Sequence, residues 1–217
     1  MAILFLNGII HNITMRNGNY QAHIKKLFEK ERSNTMSRII IPTVEQSSAA
    51  SKKLHEAVQK QLGVVPNMMK LIGNSPAALE GYLSLNTALA QGVLPVGLRE
   101  RIALTIAEYN ACDYCLAAHS YLAENLARVE SSEISAARDG HSKDPKIEAA
   151  LQFARLVTSQ HGKISDQDLN KLRAAGYSED GIVEIVLNVA LNVLTNYINN
   201  VAQTDVDFPK VELKKVA

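Results

Sequence analysis

Apolar positions recur every three to four residues along most of this chain from residue 43 onward, and each run is bracketed by helix start and stop signals. Thr43 with Gln46 has the form of a capping box and is expected to open a helix through VEQSSAASKKLHEAVQKQL, stopped by Gly63. A turn at Val65-Pro66-Asn67 leads into the short NMMKLIG segment. Ser75-Pro76, a cap followed by proline at the first helical position, starts AALEGYLSLNTALAQ before Gly92. Pro95 to Tyr109 reads as the next helix, interrupted by Asn110-Ala111, and Cys112 begins another, CLAAHSYLAENLARV.

Residues 132–139 predict a short helix ended by Gly140. Asp144-Pro145 caps IEAALQFARLVTSQ, and Ser165 with Asp168 opens QDLNKLRAA. The stretch 179–202 is the most apolar, with aliphatic residues on nearly all faces, so it is expected to be central or to lie in a subunit interface. Asn188, Asn192 and Asn196 recur on it every four residues and are read as helix–helix hydrogen-bonding groups. Only Arg38 to Ile41 is a strand candidate, and the tail from Asp205 is expected to be extended. The expected fold is an all-α bundle of about seven or eight helices.

The beginning of the chain behaves differently. Residues 1–10 contain a short apolar run without a basic lead or a small-residue cleavage site, and it is too short to span a bilayer. Residues 11–35 are polar and poorly periodic, and Met36 begins MSRIIIP. Residues 1–35 are therefore expected to be a non-native or disordered extension, and 36–217 a single helical domain.

Composition narrows the function. Of 217 residues, 47% are hydrophobic and 21% charged, as in ordinary globular proteins, and the expected location is the cytoplasm. A net charge of +1 gives no electrostatic reason to bind nucleic acid or an acidic membrane. Aromatic residues are 5% and Trp is absent, which argues against base-stacking platforms.

The two cysteines, Cys112 and Cys115, are the only ones in the chain. A lone Cys-x-x-Cys in such a protein reads as redox or metal chemistry. On a helix Cys112, Cys115 and His119 share one stripe, with Cys112 near the N-terminus, where unpaired N–H groups favour a thiolate. Thiols of this type reach pKa values of ~3.5–7.5 against ~8.5 for a free cysteine. His119 can exchange a proton with the sulfur near neutrality. Glu100, near the start of the preceding helix, is placed to orient His119 if the two helices fold back on each other, and Glu108 is a competing carboxylate.

Zinc is the rival reading, with Cys112, Cys115 and His119 as three donors and Glu100 as a fourth. No second Cys/His cluster exists, which ranks zinc below redox. The remaining histidines, His11, His23, His55, His141 and His161, are scattered and expected at the surface.

Assembled, these residues resemble the alkylhydroperoxidase D-like group of the carboxymuconolactone decarboxylase superfamily. The family pattern is Glu, eleven residues, Cys-x-x-Cys, three residues, His, and it is met by Glu100, Cys112, Cys115 and His119. VPNMMKLIGNSP (65–76) and LTNYINNVAQTDVDFP (194–209) add secondary agreement, and the resemblance runs from about residue 40 to 210. It implies an all-α fold of that type and a thiol peroxidase. In that chemistry Cys115 attacks the hydroperoxide, Cys112 resolves the sulfenic acid to a disulfide, and Glu100 and His119 relay protons.

The resemblance further implies no cofactor beyond the dithiol, no metal, a hydroperoxide substrate, a thiol reductant as partner, and a homo-oligomer, trimer or hexamer. Alternatives are a disulfide reductase or redox partner without peroxidase activity, and a non-catalytic oligomer binding a metal or small ligand. One departure is Tyr114, which stands where well-studied members carry a histidine before the second cysteine. Its phenol, with a pKa near ~10, is a poor proton acceptor at neutrality.

Overall fold

The computed structural model describes residues 37–214. The expectations for 1–35, including His11 and His23, lie outside the described residues. Among the described residues there are nine helices and no strand. They group into two compact units. One takes the described residues through Gln91 together with Ile198–Pro209, and the other takes Gly92–Tyr197 together with the described residues from Lys210 onward.

The first unit holds α1 (Ala49–Leu62), α2 (Asn67–Ile72) and α3 (Pro76–Ala90), with α3 against both others. Its apolar core includes Val58, Leu71, Ile72, Leu79 and Leu83. The capping box at Thr43 forms, with the Thr43 N–H on Gln46 Oε1 and the Gln46 N–H on Thr43 Oγ1, but it closes a turn instead of a helix. The helix begins later because Ser48 takes the cap, its hydroxyl oxygen accepting from the Ser51 N–H.

The strand candidate at Arg38–Ile41 is irregular. Ser37 Oγ and the Arg38 N–H both donate to the Ala202 carbonyl, so this segment caps a helix end and joins no ladder. Asp207 does the converse for α2, whose N-cap Pro66 has no side-chain acceptor; its carboxylate accepts the Asn67 N–H at 2.7 Å.

His55 departs from the surface expectation. It is fully buried on α1, its Nε2 lies 3.2 Å from the Met69 carbonyl as donor, and Gly73 lies against the ring. A single apolar-face histidine in an amphipathic helix reads as polar by composition, and only its neighbours decide that it is inside.

In the second unit α4 (Val96–Tyr109) contacts α5 (Asp113–Asn125), α6 (Ser131–Arg138) and α7 (Pro145–Ser159), while α8 (Asp166–Ala174) rests on α7. The central helix is α4, since Ile102 through Ala107 are all buried. Charged residues at both ends of α4 hide this in the sequence. The one at its C-terminal end, Glu108, is paired with Arg138 at 2.7 Å and accepts the Lys214 N–H at 2.6 Å.

The last helix, α9 (Glu179–Ala202), is long and apolar enough to cross a bilayer by length and composition, yet half of its most apolar window is buried within the protein. It is not central on all faces. Its inner face carries Ile182, Ile185, Asn188, Val189, Asn192, Thr195, Asn196 and Asn199, all buried. Its outer face carries Val183, Leu187, Ala190, Leu194, Tyr197 and Val201, all exposed and spaced alternately four and three residues apart. Amides share the inner face with aliphatic residues, while the outer stripe is almost wholly aliphatic. Asn188 and Asn192 return their amide N–H to carbonyls one turn back on α9, and Asn196 alone of the three reaches another element, accepting from Asn110 Nδ2 at 2.9 Å.

Glu133 on α6 gives a pH handle. Its carboxylate accepts from Ser142 Oγ at 2.6 Å and from the Lys143 N–H at 3.1 Å, with Arg101 at 3.8 Å. The Ser142 hydrogen bond, then the Lys143 N–H and the Arg101 charge, hold its pKa below the usual value against the opposing effect of burial. A carboxylate whose folded pKa is depressed contributes stability above its unfolded pKa and loses it as pH falls through the folded value. Glu133→Gln is therefore expected to lower the melting temperature at neutral pH and to shrink the loss of stability on acidification. Thermal denaturation from pH 7 down to the acid limb checks this, and an acid limb identical to wild type would refute it.

Candidate active site

The turn between α4 and α5 places the cysteines. The Cys112 N–H bonds to the Ala107 carbonyl and the Ala111 N–H to the Glu108 carbonyl, which is a Schellman ending for α4. Ala111 takes the left-handed position, at φ 49°, where glycine is the usual residue. The chain thus reverses in three residues, and Cys112 becomes the N-cap of α5, its Sγ accepting the Cys115 N–H at 3.3 Å. Ala111→Gly removes the Cβ strain but adds freedom to the unfolded chain, so a net gain of about 0.5 kcal/mol is expected. Urea denaturation measures it, and a loss of stability would contradict the strained assignment.

Cys112 and Cys115 are paired through their sulfurs, with Cα atoms 5.3 Å apart, inside the range a disulfide spans. Both are buried, at 0% and 2% exposed. His119 lies one turn beyond Cys115 on the same face of α5. Its Nδ1 is 2.8 Å from Glu100 Oε2, with the histidine and glutamate side chains 23% and 14% exposed. An ionised Glu100 accepts from Nδ1–H, which leaves Nε2 as the ring's acceptor. The carboxylate thus fixes the imidazole tautomer.

Glu108 is elsewhere engaged, by Arg138 and the Lys214 N–H, so of the two carboxylates weighed from the sequence Glu100 is the one against His119. Tyr114 is buried beside the pair. Arg99, next to Glu100, is a partly buried cation whose pKa is lowered by burial and held up by Glu100 and Glu184. A cleft of about 430 Å³ lined by Leu98, Arg101, Lys146 and Tyr177, among others, is bordered by none of the four residues. The sequence reading missed Asn110 as a participant. Its place just before the cysteine turn was visible, but its contact with Asn196, 86 residues away, was not.

Residues 76–156 match the carboxymuconolactone decarboxylase family, a stretch that contains Glu100, both cysteines and His119. That stretch is a little over a third of the chain, and over it the chain is similar to this family. Its fold is that of the alkylhydroperoxidase D-like members. A peroxidase-related protein from Ralstonia eutropha JMP134, described as an alkylhydroperoxidase AhpD core, superposes with a TM-score of 0.72 at 22% identity, over 80% of this chain and 94% of that one. A peroxidase-related protein from Silicibacter sp. TM1040 gives 0.71 at 22% identity, over 81% and 94%. The debrominase Bmp8 gives 0.65 at 19% identity, over 81% and 94%. No curated protein sequence matches the chain. The fold is thus common ground, while these neighbours span more than one chemistry.

Proposed function

We propose that this protein is a thiol peroxidase of the carboxymuconolactone decarboxylase superfamily that reduces hydroperoxides through Cys115 and Cys112. The observation that carries the reading is the 2.8 Å contact between His119 and Glu100, one helical turn from a paired Cys-x-x-Cys. In the reduced protein the Cys115 thiolate attacks the distal peroxide oxygen. An S–O bond forms, the O–O bond breaks, and the alcohol leaves with a proton supplied through His119. Cys112 then attacks the sulfenic sulfur; the S–S bond forms and water departs. Glu100 holds the imidazole ready for both proton transfers. Two electrons pass from the dithiol to the peroxide, and an external thiol reductant restores the dithiol. No organic cofactor or metal enters this scheme.

The test is to mix the reduced protein, kept anaerobic, with tert-butyl hydroperoxide and follow thiol loss and the Cys112–Cys115 disulfide by mass spectrometry. Oxidation far faster than that of free cysteine is expected. A rate equal to that of free cysteine, with a disulfide that still exchanges readily, would leave a disulfide reductase instead.

The same reading includes a homo-oligomer. The outer stripe of α9 repeats at the four-three spacing of a helix seam, and Tyr197 and Val201 are 56% and 64% exposed. Leu194→Glu with Tyr197→Glu is expected to reduce the particle mass in sedimentation; a wild-type chain that already sediments as a monomer would exclude this assembly.

A further inference from the structure

We infer that Asn196 is a positioning residue for the Cys112–Cys115 couple, acting through Asn110; this rests on the redox reading above. Asn196 is 0% exposed, and its Oδ1 accepts from Asn110 Nδ2 at 2.9 Å. Its own Nδ2 is buried with no hydrogen-bond partner. A buried amide with one donor unsatisfied is unfavourable, and an aliphatic residue would avoid that cost on a helix as apolar as α9. What the amide supplies in return is a single bond to the residue that ends α4. Exchanging O and N in both amides preserves that bond.

Asn110 is the C-cap of α4, and the next residue, Ala111, sits at a left-handed φ of 49° that no glycine eases. A turn strained in this way holds only while its surroundings over-determine it. Asn196 supplies a side-chain hold on the capping residue, from an element far away in sequence. Two residues after Asn110, Cys112 occupies the N-cap of α5 with its sulfur on the Cys115 N–H. There the helix N-terminus stabilises a Cys112 thiolate. If the turn relaxes, Cys112 leaves the cap and the thiolate loses that stabilisation. A couple whose reduced form is stabilised is the more oxidising one, so losing the hold favours the disulfide.

Two measurements separate positioning from mere stability. In a Cys115→Ser background Cys112 is the only thiol, and its thiolate absorbance is titrated with and without Asn196→Ala. In the chain with both cysteines, the dithiol–disulfide equilibrium is measured in glutathione buffers. Asn196→Ala is expected to cut the Cys112 thiolate fraction about tenfold at pH values below its pKa. It should also shift the equilibrium about tenfold toward the disulfide, which is about 30 mV for a two-electron couple.

Asn110→Ala, at a half-exposed position less exposed to folding failure, should give the same shifts, and the double variant no more than either single one. Unchanged thiolate fraction and equilibrium alongside a lower melting temperature overturn the inference, as do opposite or additive shifts. A wild-type pair that glutathione neither reduces nor re-forms sinks the redox reading itself, while the Cys112 titration still reads the positioning.

Discussion

Cys115→Ser is expected to abolish the proposed peroxide-dependent turnover, and Glu100→Gln to lower kcat/KM for a hydroperoxide by about 100-fold or more, the range in which a positioned proton-transfer group contributes. The two losses have different causes. A serine hydroxyl at 115 can neither attack the O–O bond at neutral pH nor form the disulfide. Glutamine at 100 keeps the shape and can still hydrogen-bond His119 Nδ1, but it removes the charge that favours the Nδ1–H tautomer and the imidazolium formed in proton transfer.

Glu108→Gln is the matched control. That carboxylate is four residues before Cys112, but it serves Arg138 and the Lys214 N–H, so its loss is expected to lower stability and leave the peroxide reaction near wild type. Stopped-flow oxidation of the reduced proteins compares all three. Equal rates in Glu100→Gln and wild type would remove Glu100 from the relay, and slowing in Glu108→Gln as large as in Glu100→Gln would show that the distinction drawn from their partners is wrong.

The second large effect is on stability and lies in the other unit. Gly73→Ala is expected to destabilise the protein by about 2–3 kcal/mol, the usual cost of overpacking a filled core. The sign is informative. Gly73 has φ −63° and ψ −7°, which alanine adopts freely, and at such positions glycine-to-alanine changes ordinarily stabilise by about 0.4–1 kcal/mol. Here the added Cβ would lie 2.7 Å from His55 Cε1 and closer still to Nε2. The ring cannot swing away easily, because it is fully buried and tied to the Met69 carbonyl, and the Gly73 carbonyl is itself held by Ser51 Oγ at 2.6 Å. His55→Ala opens space at the same spot, so the double variant should be less destabilised than the two single effects summed. Denaturant unfolding gives all three values. A stabilised Gly73→Ala would show that the His55 ring has room to move.

The sequence by itself determined the helices and the shared face of Cys115 and His119. Helix boundaries at Ser75-Pro76, Asp144-Pro145 and Ser165 were legible because caps and prolines act locally, on N–H groups two or three residues away. The stripe of Cys115 and His119 followed from the helical repeat alone. The Thr43 box shows the limit of such reading. Its bonds form, but a neighbouring serine captured the helix start.

Tertiary structure decided which groups meet across sequence distance. It chose Glu100 over Glu108 for His119 by engaging Glu108 with Arg138 and the C-terminal tail. It buried His55, and it made α4 and not α9 the central helix of its unit. It also buried the amides of α9 beside Ile182, Ile185 and Val189, and left a second aliphatic stripe of the same helix exposed. The reason is the same in each case. Hydrophobic periodicity marks a face as apolar, but the partner that covers it, and the polar group that a buried donor reaches, depend on residues tens of positions away, as with Asn110 and Asn196.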